Sequence, residues 1–218
     1  MKKILMLVVL ISSANFSLTA QSQDRQKPKP SERVYVLEPP PDTKSWKEFT
    51  SEDGRFSIVS PGALEHSEKY VALPAGGTMK VHVFLFTANA EYGVTYCDYP
   101  FQIEGTGTVR EFMDAVRDAG VKGINGRLLN YEETAFDGHP SRFYSVQYGS
   151  QYGFLLVTRT IVVGSRLYMV TTTYRKADLP TVVRMYEEWA NRFRESFKLL
   201  PAIRPAVIQS PDHEGNSQ

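Results

Sequence analysis

Along most of the chain, apolar and polar residues alternate in short runs, and twice the spacing changes to that of a helix. Trp46 to Phe49 and Arg55 to Val59 are β-like runs on either side of Ser51-Glu52-Asp53-Gly54, and Asp53-Gly54 supplies hairpin turn chemistry. Pro61-Gly62 interrupts the pattern. Leu64 to Leu73 reads as a weaker strand ending in a second turn signal, Pro74-Ala75-Gly76-Gly77. Thr78 to Thr87 and Tyr92 to Tyr99 are rich in valine, phenylalanine, tyrosine and threonine, the residues that suit a pleated surface. Four further strands are expected: Leu128 to Phe136, Arg142 to Tyr148, Phe154 to Val163 and Arg166 to Tyr174. Gly164-Ser165 fits a two-residue hairpin loop, which sets Val163 opposite Arg166, Ile161 opposite Tyr168 and Arg159 opposite Val170. Both faces of that hairpin carry apolar residues, so the sheet should be covered on both sides.

Helical spacing supplies the covers. Val109, Phe112, Met113, Val116 and Ala119 recur at intervals of three and four, and Thr108 with Glu111 has the form of a capping box, predicting a helix over 109–119. Gly120, Gly123 and Gly126 follow it. Phosphate-binding loops precede helices, so these glycines read as C-cap and turn residues. Pro180 opens a second helix whose stripe is Val182, Tyr186, Trp189, Phe193 and Phe197, with Arg184, Glu187, Glu188, Arg192 and Glu195 opposite. The expected architecture is α+β: an α/β/α sandwich around an antiparallel sheet of about seven strands.

The ends of the chain bound this domain. Lys2 and Lys3, the apolar run Ile4 to Ile11 and the small and polar residues up to Ala20 form the three-part pattern of a signal peptide over 1–20, so export to the periplasm or beyond is expected. An uncleaved anchor is the alternative. Residues 21–45 carry five prolines and read as a flexible linker in which Val34-Tyr35-Val36-Leu37 could add to a sheet edge. Residues 201–218 read as a disordered tail, leaving one domain over 46–200. The formal charge of +1 becomes −1 once Lys2 and Lys3 are removed, which gives no electrostatic footprint for nucleic acid or an anionic membrane. With Cys97 as the sole cysteine, no internal disulfide is available and the core must be self-sufficient.

Five stretches carry a resemblance: FTSEDGRFSIVSPG, VTYCDYP, FDGHPSRFY, IVVGSRLYMV and the closing ESFKLL. They resemble a set of exported bacterial proteins of unknown role, and the order of strands and helices is similar to the Mog1/PsbP-like fold. That fold includes an accessory subunit of the photosynthetic oxygen-evolving complex, a Ran-binding protein and bacterial envelope proteins. The resemblance implies binding or assembly more than catalysis, and it transfers no functional residue.

The chemistry-bearing residues fall into no known motif. His66 and His82 lie on expected strands, His139 in the turn of FDGHPSRFY, and His213 in the tail; none are spaced as a metal pair, and HExxH, CxxC and GxSxG are absent. Asp212-His213-Glu214 offers loose ligands without fixed geometry. Free cysteine such as Cys97 is usually buried and inert. Asp53, Asp98 and Asp137 sit near turns or strand ends, where local backbone bonds account for aspartate. Hairpin geometry accounts for all of FDGHPSRFY except the imidazole of His139. The tyrosines, among them Tyr92, Tyr96, Tyr99, Tyr144, Tyr148, Tyr152, Tyr168 and Tyr174, suit half-buried sheet positions or a partner surface.

No catalytic, cofactor-binding or metal-binding residue is therefore assigned. The leading expectation is a non-catalytic envelope binding or assembly module with a protein partner, without cofactor, nucleic acid or stable membrane insertion. A hydrolase or metal-dependent enzyme would need one deep pocket gathering at least two of His66, His82, Asp98 and His139. A small-ligand carrier would need a largely apolar cavity.

Overall fold

The computed structural model describes residues 45–73, 76–88, 90–149, 153–176 and 180–201. The expected leader, the linker except Ser45, the segment Val34 to Leu37, and the tail except Pro201 lie outside them.

The chain forms β1 (Lys47–Ser51), β2 (Phe56–Ser60), β3 (Glu65–Ala72), β4 (Thr78–Thr87), β5 (Ala90–Asp98), α1 (Val109–Gly123), β6 (Arg127–Phe136), β7 (His139–Tyr148), β8 (Phe154–Val163), β9 (Arg166–Arg175), α2 (Pro180–Glu195) and β10 (Lys198–Leu199). Seven strands make one antiparallel sheet in the order β3-β4-β5-β9-β8-β7-β6. The expected α+β architecture is thus the observed one. The β8–β9 register is also as expected, with Val163 opposite Arg166, Ile161 opposite Tyr168 and Arg159 opposite Val170.

Both faces of the sheet are covered. On one, α1 packs Phe112, Met113 and Val116 with Val81, Cys97, Val162 and Leu167. On the other, Phe56 and Ile58 of β2, Trp189 and Phe193 of α2, and Phe197 pack with Phe84, Tyr96, Tyr168 and Val170. Phe197 stacks on Phe56 at 5.6 Å and meets Tyr168 and Phe136 at 5.7 Å each, joining three layers of side chains.

Four local expectations are corrected. The first hairpin does not join the main sheet; β2 sits between β1 and β10 in a separate three-stranded sheet, and so short a strand as Lys198–Leu199 gives no period to read. Its turn places Arg55, not Asp53 or Gly54, in the left-handed region (φ 52°), while a Cβ on Gly54 would lie only 2.6 Å from Ser51 Oγ. Gly54 is there for space.

The capping box does not form. Thr108 occupies the N-cap position with ψ near 5°, makes no side-chain cap bond, and lies 3.2 Å from Thr106 Oγ1 instead. Gly120 and Gly123 belong to α1 itself, four residues beyond the expected end at Ala119, and the left-handed reversal falls on Asn125 (φ 53°).

The last correction concerns His139, expected in the turn of FDGHPSRFY; the turn pair Asp137-Gly138 and the return of the strand at Pro140 are as expected. His139 and Pro140 are strand residues of β7, with Phe136 opposite His139 and Ala135 opposite Pro140. Only Asp137 and Gly138 turn, both at positive φ (49° and 81°), the signature of a type I′ loop. Proline fits here because β8 pairs with β7 only from Ser141 onward, so its missing N–H breaks no bond to that side.

Candidate functional site

Strand pairing builds a cluster that spacing in the sequence concealed. Glu68 of β3 lies directly opposite His82 of β4, and His66, two residues back on the same face, lies opposite Phe84. His66 Nε2 and His82 Nδ1 stand 3.2 Å apart, and His82 Nδ1 is 3.6 Å from Glu68 Oε1. The donor atoms of all three fall within 4.8 Å of one another, a grouping able to hold a metal ion. Each imidazole lies flat on a buried ring: His66 on Phe84 at 4.4 Å and 12°, His82 on Tyr96 at 4.5 Å and 8°.

Electrostatics set the charge of this cluster. Lys80 Nζ lies 3.1 Å from both Glu68 oxygens and holds that carboxyl below the usual range. Partial burial, opposed by Glu68, pushes the His82 imidazole below its ordinary value, which favours the neutral ring. The cluster thus presents a carboxylate and a neutral imidazole, with Lys80 as the counter-charge.

His139 meets a residue from elsewhere in the chain. Its Nδ1 is 2.6 Å from Glu104 Oε1, while Glu104 Oε2 accepts the Gly164 amide at 2.7 Å. The Ile103 and Glu104 amides in turn donate to the Gly164 carbonyl. His139 also lines a cleft of about 300 Å³ with Arg55, Asp137, Val163, Tyr168 and Leu199 to Pro201. Its lining mixes apolar side chains with Arg55, Asp137 and His139.

The other sequence candidates are accounted for locally. Asp98 receives a two-pronged bond from Arg166 at 2.6 and 2.7 Å, which holds its carboxyl below the usual range, and Arg166 stacks on Tyr96 at 4.6 Å. Asp53 offers its backbone carbonyl to the same guanidinium at 2.8 Å. Cys97 is buried, and burial pushes its thiol up to about 12. Asp137 serves the turn, and Asp212, His213 and Glu214 lie outside the described residues. Of the four enzyme candidates, His66 and His82 meet, but on an open strand surface rather than in a deep pocket.

Tyr92, Tyr96, Tyr99, Tyr144, Tyr168 and Tyr174 are buried and Tyr148 is partly so; Tyr152 lies outside the described residues. The exposed tyrosine of note is Tyr70, beside Lys80 at 5.9 Å. Sequence reasoning missed Glu68, Glu104 and the network around Tyr131. There the hydroxyl donates to Asp114 at 2.5 Å, accepts from the buried Arg142 at 2.7 Å, and the ring carries Arg117 at 4.2 Å. This network pins α1 to β6 and β7.

No protein-family model matches the chain, and no curated protein does. Among solved structures it is similar to a Pseudomonas aeruginosa protein of unknown function, 15% identical, over 73% of this chain and 98% of that one, with a TM-score of 0.38. It is also similar to the solution structure of a cyanobacterial PsbP (CyanoP) from Synechocystis, 14% identical, over 71% and 92% of the two chains, with a TM-score of 0.43. These likenesses concern the path of the chain.

Proposed function

We propose that the protein is an exported, non-catalytic binding or assembly module working outside the cytoplasmic membrane on a protein partner. The cleft beside His139 carries this reading. It is formed by four separate parts of the fold: the β1–β2 turn, the β6–β7 hairpin, the β8–β9 hairpin, and the end of β10 with the two residues after it. At about 300 Å³ it stands at the low end of small-molecule pockets, which suits a protruding side chain of a partner. Tyr168, Val163 and Leu199 offer apolar contact, and Arg55 offers a charged hydrogen-bond donor. The signal-like leader and the proline-rich segment ahead of the domain support export and a tethered presentation. No helix among the described residues is long and apolar enough to cross a membrane.

The test compares the full chain with an Arg55→Glu variant in cross-linked envelope fractions. A partner held by the wild type and lost by the variant, at unchanged circular dichroism, is the expected result. A partner set identical for both chains, or none above background, would reject the cleft as the binding site.

A further inference from the structure

We propose that His66, Glu68 and His82 form a binding site for a divalent late transition ion of the zinc type, a site distinct from the cleft. A tetrahedral ion with bonds of about 2.0–2.1 Å sets its ligand atoms about 3.3 Å from one another. The observed separations of 3.2 Å between the two imidazole nitrogens and 3.6 Å from His82 Nδ1 to Glu68 Oε1 bracket that value. The third pair closes within the same 4.8 Å group. Without an ion the two imidazole nitrogens are hydrogen-bonded to each other, and a bound ion takes the place of that proton.

The donor set selects the ion. Two imidazoles and one carboxylate suit zinc, copper(II), nickel(II) or cobalt(II), whereas calcium and magnesium require more oxygen ligands than this cluster holds. Three protein ligands leave a position open to water. The site is also held in shape without an ion. The strand register fixes Glu68 against His82, and Phe84 and Tyr96 lie beneath the two rings and set their planes. The Tyr96 ring in turn carries the Arg166 guanidinium of the neighbouring strand β9 at 4.6 Å. Rings fixed by packing lose little freedom on ligation, which is how binding sites gain affinity.

Lys80 is the built-in competitor. Its ammonium occupies the Glu68 carboxylate, and an incoming ion must displace it or share the oxygens. Lys80 is exposed and next to the Tyr70 ring, so it has somewhere to go. This gives a signature that incidental binding to surface histidines lacks: removing Lys80 should strengthen the site.

The test is titration of the full chain with zinc chloride against a chromophoric chelator, with cobalt(II) absorption as a second readout. One equivalent should bind in the wild type. His66→Ala and His82→Ala should each weaken binding tenfold or more, Glu68→Gln should weaken it several-fold, and Lys80→Met should tighten it several-fold. His139→Ala and His213→Ala should leave it unchanged. Circular dichroism checks the fold of each variant. Absence of saturable binding, equal binding by the His66→Ala/His82→Ala double variant, or loss with His139→Ala or His213→Ala would overturn the proposal.

Discussion

Glu104 reaches His139 across 35 residues of sequence and, with its other oxygen, holds the Gly164 amide, so one carboxylate ties the β6–β7 and β8–β9 hairpins to the loop before α1. Glu104→Ala should lower stability by about 1.5–3 kcal/mol, the range for hydrogen bonds to a charged group. Urea unfolding at neutral pH reads this directly, and a loss below about 0.5 kcal/mol, the ordinary scatter of surface changes, would show that the strut carries nothing.

Asp98 gives a prediction in acid. Arg166 holds its folded-state pKa below the unfolded value, so the stabilisation is present above the ordinary aspartate range and disappears as the pH falls through the folded value. Asp98 is largely exposed and the pair is screened by solvent. Asp98→Asn should therefore cost no more than about 1 kcal/mol at pH 7. The two stability curves should converge below about pH 4. Curves that stay parallel down to low pH would contradict the assignment.

Glu91 has the opposite sign. Burial raises its pKa, and its Oε2 has no hydrogen-bond partner among the described residues. The folded state favours the protonated form, so the ionised carboxylate destabilises the fold at pH above the raised value, and the penalty fades as the pH falls toward the ordinary glutamate range. Glu91→Gln should raise the melting temperature at pH 8, with the gain shrinking toward pH 4. A lower melting temperature at pH 8 would refute this.

With its thiol pushed up to about 12, Cys97 should be silent toward disulfide reagents. At pH 8 the folded protein carries almost no thiolate. Labelling of native protein should therefore proceed at the rate of unfolding and become rapid in urea. Fast labelling of folded protein would place the thiol in contact with solvent.

Much of the fold was readable because it depends on local chemistry. The turn pair Gly164-Ser165 fixes the β8–β9 register, and the stripe from Val182 to Phe193 announces the face that α2 buries, although Phe197, expected in the same helix, lies beyond its end at Glu195. What escaped depends on contacts between distant residues. Glu104 sits in an irregular loop, where no period marks it. Lys198–Leu199 becomes a strand only because β2 is already there. Glu68 reads as a surface charge until β3–β4 pairing sets it against His82. The position of His139 was legible only in part, since FDGHPSRFY encodes the turn but not the carboxylate that meets it.

The small sheet has one more consequence. β1 opens the domain and β10 closes it; they flank β2 on its two edges, with Lys47 opposite Ser60 at one end of that five-residue strand and Leu199 opposite Phe56 at the other. Strand geometry puts the first and last residues of the domain about 16 Å apart. The two strands run parallel, so a linker that rejoins them must cross over β2 and needs about a dozen residues. The domain can thus be rejoined end to end and reopened at the Gly76-Gly77 turn. In such a permutant β2 would still hold β1 and β10 on its two edges, and the order of the seven-stranded sheet would be unchanged.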